Sequence, residues 1–137
     1  MDKQKMLDAV QAYFDRFNAQ DPEGIADLYA DDATVTDPYP TDPKVGREAI
    51  LAFYTGAVKS NSTLVQQGGT RIAGNRAAFA FTVHVGGLTE ESKVTDADLP
   101  MGKMQIDVID TFEFNENGKV TAMTAYWDPA VNLRQGS

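Results

Sequence analysis

The chain has 137 residues, enough for one domain with its own core, and its 42% hydrophobic and 23% charged content is ordinary globular composition. A net charge of -8 and a pI of about 4.5 argue against binding nucleic acid or an anionic membrane through a broad basic surface. The absence of cysteine excludes disulfides, a thiol nucleophile and a cysteine metal site.

The opening Met-Asp-Lys-Gln-Lys leads into no apolar run and is not read as a signal peptide. No stretch approaches the length of a membrane span, so a cytoplasmic protein is expected. Met6, Val10, Tyr13, Phe14 and Phe17 recur at helical spacing and predict an amphipathic first helix. Asp21-Pro22-Glu23 restarts a helix, with Asp as N-cap and Pro at the first helical position. This second helix is read as carrying Ile25, Leu28 and Tyr29 on one side. A short strand is expected over Ala33–Thr36, followed by the proline-rich loop Asp37–Pro43. Gly46-Arg-Glu opens a third helix with Ile50, Phe53, Tyr54 and Ala57 on one face.

Strands follow over Thr63–Gln67, Thr70–Ala73, Ala77–Val85, Gln105–Phe114 and Val120–Trp127. Gly74-Asn75 and Asn117-Gly118 supply hairpin turns. Gly86 to Lys103 is a polar insert, read as a solvated loop or extended hairpin. The tail after Pro129 is expected to be loosely held. Helices first and antiparallel strands after imply α+β, with helices on one face of a curved sheet and room for an apolar pocket between the layers. No linker or repeat divides the chain, so residues 1–137 are read as a single domain.

The residue that breaks its own pattern is Asp110. In Ile106–Phe114 one strand face carries Ile106, Val108, Asp110, Phe112 and Phe114. If that face is the core, Asp110 points into it, where a carboxylate must be paired, hydrogen-bonded or protonated. Buried acids of this kind mark sites. Asp37, taken alone, reads as a turn aspartate bonding nearby backbone. Tyr13 and Tyr54 read as core tyrosines whose hydroxyls need partners. His84, the single histidine, lies opposite Phe79, Phe81 and Val83 in strand parity and is expected at solvent or a subunit contact. One histidine without a nearby nucleophile makes no triad or metal site. Two aspartates and two or three tyrosines around an apolar cavity suit proton transfer better than covalent hydrolysis.

Three stretches carry a resemblance: Asp31-Asp-Ala-Thr-Val-Thr-Asp37-Pro, Arg76–Val83 and Ile109–Val120. They resemble bacterial Δ5-3-ketosteroid isomerases, members of the nuclear-transport-factor-2-like superfamily. The resemblance implies a cone-shaped α+β fold of three N-terminal helices on a curved, mostly antiparallel sheet. It implies Asp37 as general base, with Tyr13 and a protonated Asp110 as donors to an oxyanion. That family is itself the standard example of a carboxylic acid kept neutral by an apolar site. Tyr54, in the Phe53-Tyr54 pair, would support Tyr13, and Trp127 would form an aromatic wall. Phe53, Phe81, Val83, Phe112 and Met123 complete the expected substrate-binding set. The implied substrate is a small apolar ketone, a 3-oxo-steroid, with no metal or organic cofactor, no nucleic acid or membrane partner, and a homodimer through the exposed sheet face. The insert is longer than expected for the family. Rival readings are a SnoaL-like polyketide cyclase acting on another enolisable substrate, or a non-catalytic binding module. Epoxide hydrolases of this fold need an interior Asp-Arg-Asp set, for which Arg71 and Arg76 are poorly placed.

Overall fold

A computed structural model describes residues 2–86 and 104–135. The expectations for the insert lie, apart from Gly86, outside the described residues. Helix α1 (Lys3–Asn18) starts where the Asp2 carboxylate accepts a hydrogen bond from the Gln4 amide at 2.8 Å. It buries Met6, Val10, Tyr13, Phe14 and Phe17, the stripe that the spacing predicts. Asp21 caps α2 (Pro22–Ala26) through the Gly24 amide at 3.0 Å.

Helix α2 is shorter than the sequence reading. It stops at Ala26, and Tyr29 opens strand β1 (Tyr29–Thr36). Tyr29, Ala33 and Val35 are the buried residues of that strand. They share one strand parity, and this outweighs the helical spacing that had linked Tyr29 to Ile25. After the proline-rich loop, β2 (Lys44–Val45) pairs back antiparallel on β1. Gly46, at φ 88°, precedes α3 (Arg47–Lys59) in a conformation that suits glycine. Helix α3 buries Ile50, Tyr54 and Val58.

Four long strands follow: β3 (Thr63–Ala73), β4 (Arg76–Val85), β5 (Met104–Phe114) and β6 (Val120–Tyr126). Among the described residues the sheet order is β2-β1-β6-β5-β4-β3. Every pairing is antiparallel except β1 with β6. The two short strands expected before Gly74 are one strand. Its register shifts between Gln67 and Arg71, where Gly68 has φ 77°, so the glycines make a bulge rather than a break. The tail is also more ordered than expected. Asp128 caps α4 (Pro129–Asn132), and β7 (Leu133–Gln135) pairs with β5 at Met104–Ile106. It occupies the edge of β5 that β6 leaves beyond Ile109.

The core lies between the helices and the sheet. Phe112 meets Tyr13 edge-on at 5.3 Å and Phe79 at 4.9 Å. Such edge-to-face pairs fix ring orientation as well as burying area. His84 is not at solvent. It is 1% exposed, and Gln105, its register partner on β5, is buried too. Strand parity places His84 on the face away from Phe79 and Phe81, but parity does not say whether that face is covered.

Candidate active site

A cavity of about 200 Å³ opens between the helices and the sheet. Helix α1 contributes Tyr13 and Phe17, and α3 contributes Phe53, Tyr54 and Ala57. The sheet contributes Leu64, Phe81, Val83, Ile106, Val108 and Asp110, while Asp37 and Trp127 enter from the ends of β1 and β6. No arginine lines this cavity among the described residues. Arg76 pairs with Glu113 at 3.7 Å and Arg71 bonds the Gly69 carbonyl, so neither completes an interior Asp-Arg-Asp set.

Asp110 sits where parity predicts, between Phe79 of β4 and Ala125 of β6, and is 1% exposed. Neither carboxyl oxygen has a hydrogen-bond partner among the described residues. Burial, with the Asp37 charge adding to it, pushes its pKa well above the usual carboxylate range; the nearby Tyr13 hydroxyl opposes this only in part. Both burial and the neighbouring charge favour the neutral acid at Asp110 over its carboxylate.

Asp37 follows Thr36 at the end of β1. The Trp127 indole N–H donates to its Oδ1 at 2.8 Å. Burial raises this pKa too, but the Trp127 hydrogen bond and the Lys44 cation both favour the charged form. Lys44 Nζ lies 5.2 Å from the centre of the ring of Phe53, a residue of the cavity wall. The two acids thus differ in what supports their charge. Asp37 has an indole donor and a cation; Asp110 has only the nearby Tyr13 hydroxyl and no cation.

The tyrosines form a chain. Tyr13 and Tyr54 hydroxyls are 3.2 Å apart, and Tyr54 and Tyr29 hydroxyls 2.6 Å. Burial is the first cause that lifts all three above the usual phenol range, so each stays protonated. Of the expected site residues, Tyr13, Asp37, Phe53, Tyr54, Phe81, Val83, Asp110 and Trp127 meet around the cavity. Phe112 and Met123 do not line it. Phe112 supports Tyr13 from behind, and Met123 is its register partner on β6.

A family model described as a SnoaL-like domain matches residues 10–123. The chain belongs to the SnoaL-like family. This SnoaL-like chain is 36% identical over 123 residues to the steroid Delta-isomerase of Nocardioides simplex, covering 88% of each protein. Its structure matches that of SalBIII, described as an epoxide hydrolase/cyclase-like enzyme with a role in pyran ring formation in the polyether salinomycin. The TM-score is 0.80 over 98% of both chains, at 23% identity. That likeness shows the fold: the SnoaL-like protein has the α+β architecture of the nuclear-transport-factor-2-like superfamily that the sequence reading expects.

Proposed function

We propose that the protein is a steroid Δ-isomerase that converts 3-oxo-Δ5-steroids to their Δ4 isomers. The observation that carries this reading is the unequal pair of acids on one apolar cavity. Asp37, its carboxylate supported by Trp127, removes the C4 proton beside the C3 ketone. The electron pair moves onto the C3 oxygen and a dienolate forms. Tyr13 and neutral Asp110 donate hydrogen bonds to that oxygen, as in an oxyanion hole. Protonated Asp37 then returns the proton to C6, and the double bond moves to Δ4. The relationship to a steroid Delta-isomerase supports the substrate class. The test is conversion of 5-androstene-3,17-dione, followed by the ultraviolet absorbance of the conjugated enone; no turnover at any enzyme concentration rejects the steroid assignment.

The supports of Asp37 give a pH prediction. A base must be ionised to act, so activity is lost as pH falls through its pKa. Trp127→Phe removes the hydrogen bond that holds the carboxylate down. The acid limb of kcat/KM should then move to higher pH, while activity well above that limb changes less. An unmoved limb would separate Trp127 from the ionisation of Asp37.

We also read the protein as a homodimer through the exposed sheet face. Tyr126 and Ile109 are about half exposed there, and Tyr126 packs on Tyr39 with ring centres 6.2 Å apart. Sedimentation should give twice the 14.9 kDa chain mass; a monomer at micromolar concentration would count against it.

A further inference from the structure

The cavity has a second polar end. Ser60 and Ser62 line it where α3 passes into β3, and their hydroxyl oxygens are 2.6 Å apart. Ser60 is exposed, but Ser62 is only 7% exposed. Apolar Leu64, Phe81, Val83, Ile106 and Val108 separate this pair from Asp110.

The register gives the separation. Asp110 opposes Phe79 on β4, and Ser62 lies one residue beyond the Thr63–His84 pair, near Val85. From Phe79 to Val85 along β4 the rise is about 20 Å at about 3.3 Å per residue. Curvature of the sheet shortens the direct path. A steroid's C3 and C17 oxygens are roughly 10 Å apart, given fused rings built on C–C bonds of about 1.5 Å. A hydrogen bond of about 2.7 Å at each end extends that to about 15 Å. A steroid with its C3 oxygen at Tyr13 and Asp110 therefore extends its C17 end along β4 toward the serines that line the same cavity.

The hydrogen-bond inventory then fixes which substituent suits. Ser60 has one proton and donates it to the Ala57 carbonyl at 2.7 Å. In the short Ser60–Ser62 contact the donor is consequently Ser62. Ser62 Oγ has committed its proton and engages no other hydrogen bond among the described residues. It meets the cavity as an acceptor. A ketone, which can only accept, would face those lone pairs unless Ser62 gave up its bond to Ser60. A hydroxyl can donate to them.

We propose that Ser62 is a distal specificity residue that selects ligands with a hydrogen-bond donor at the end opposite the enolised ketone: a 17-hydroxy-steroid over its 17-ketone. The proposal rests on the isomerase reading for the orientation of the ligand. Its test uses 17β-estradiol and estrone, phenols identical except for hydroxyl or ketone at C17, with dissociation constants measured by calorimetry. The ratio of their constants should favour the hydroxyl, and Ser62→Ala should reduce that preference by about threefold to tenfold, the range for one net hydrogen bond. Ser62→Thr, which keeps the hydroxyl, should retain it. Ser60→Ala, at an exposed position, releases the Ser62 proton and should shift the ratio toward the ketone. Two binding phenols with a ratio unmoved by Ser62→Ala and Ser60→Ala overturn the distal site alone. Failure of both phenols to bind overturns the parent reading, and the distal site with it; estrone bound more tightly than estradiol overturns the distal site alone.

Discussion

Replacing Asp37 with Asn is expected to lower kcat for Δ5-to-Δ4 conversion by about 10² to 10⁴, the usual contribution of a positioned base. Asn has nearly the same shape and keeps an oxygen for the Trp127 indole N–H, so the cavity should retain its form. What is lost is the ability to take the C4 proton. KM for the steroid should change little, because the apolar walls that surround the ligand remain. Near-full turnover by Asp37→Asn in the ultraviolet assay would mean that another group is the base.

The second large effect is at Asp110, and it runs in opposite directions for rate and stability. Asp110→Leu removes one of two donors to the dienolate oxygen, and kcat should fall by about 10² to 10³. Asp110→Asn retains an N–H donor and should fall less. Stability should respond the other way. The folded pKa of Asp110 is raised, so above about pH 3.9 the unfolded chain releases a proton that the folded chain keeps. Stability therefore falls as pH rises from that point until the folded carboxyl itself ionises. Leu or Asn removes this dependence. Thermal unfolding of either variant should show a higher melting temperature than the parent near neutral pH, with the gap closing toward pH 4. Asp37 is raised as well and leaves a residual slope of the same sign. A variant with unchanged rate, or one whose melting temperature tracks the parent at every pH, would remove Asp110 from the oxyanion role or from the neutral state.

What the sequence reveals of this site follows from the range of each signal. Asp110 is legible because strand alternation is local, and nine residues suffice to put an acid on the apolar face. The stripe of α1 and the Phe53-Tyr54 pair of α3 are legible for the same reason. Asp37 is not, since an aspartate before proline is a common turn; only the family resemblance gives it a role. Its bond to Trp127 joins residues 90 positions apart, and no periodicity reaches that far. Tyr29 is missed by a competition between periods. Helical spacing ties it to Ile25, whereas the alternation of Ala33 and Val35, carried back four residues, would have placed it on the buried face. Gly68-Gly69 reads as a stop in sequence, but a bulge lets β3 continue through it. Phe112 and Met123 share the inward face of the site residues. Parity could not tell that they stand behind the cavity wall.

The three linked tyrosines carry a further consequence through simple proton counting. Each hydroxyl owns one proton. If Tyr13 directs its proton at a ligand oxygen, Tyr54 can complete the chain only by donating to Tyr13, and Tyr29 by donating to Tyr54. An anion at one end thus sets the sense of every bond behind it, from helix α1 through α3 out to a hydroxyl on strand β1. The buried aromatic core is in this respect a polarisable wire, and its far end should register whether the cavity holds a neutral ketone or an enolate.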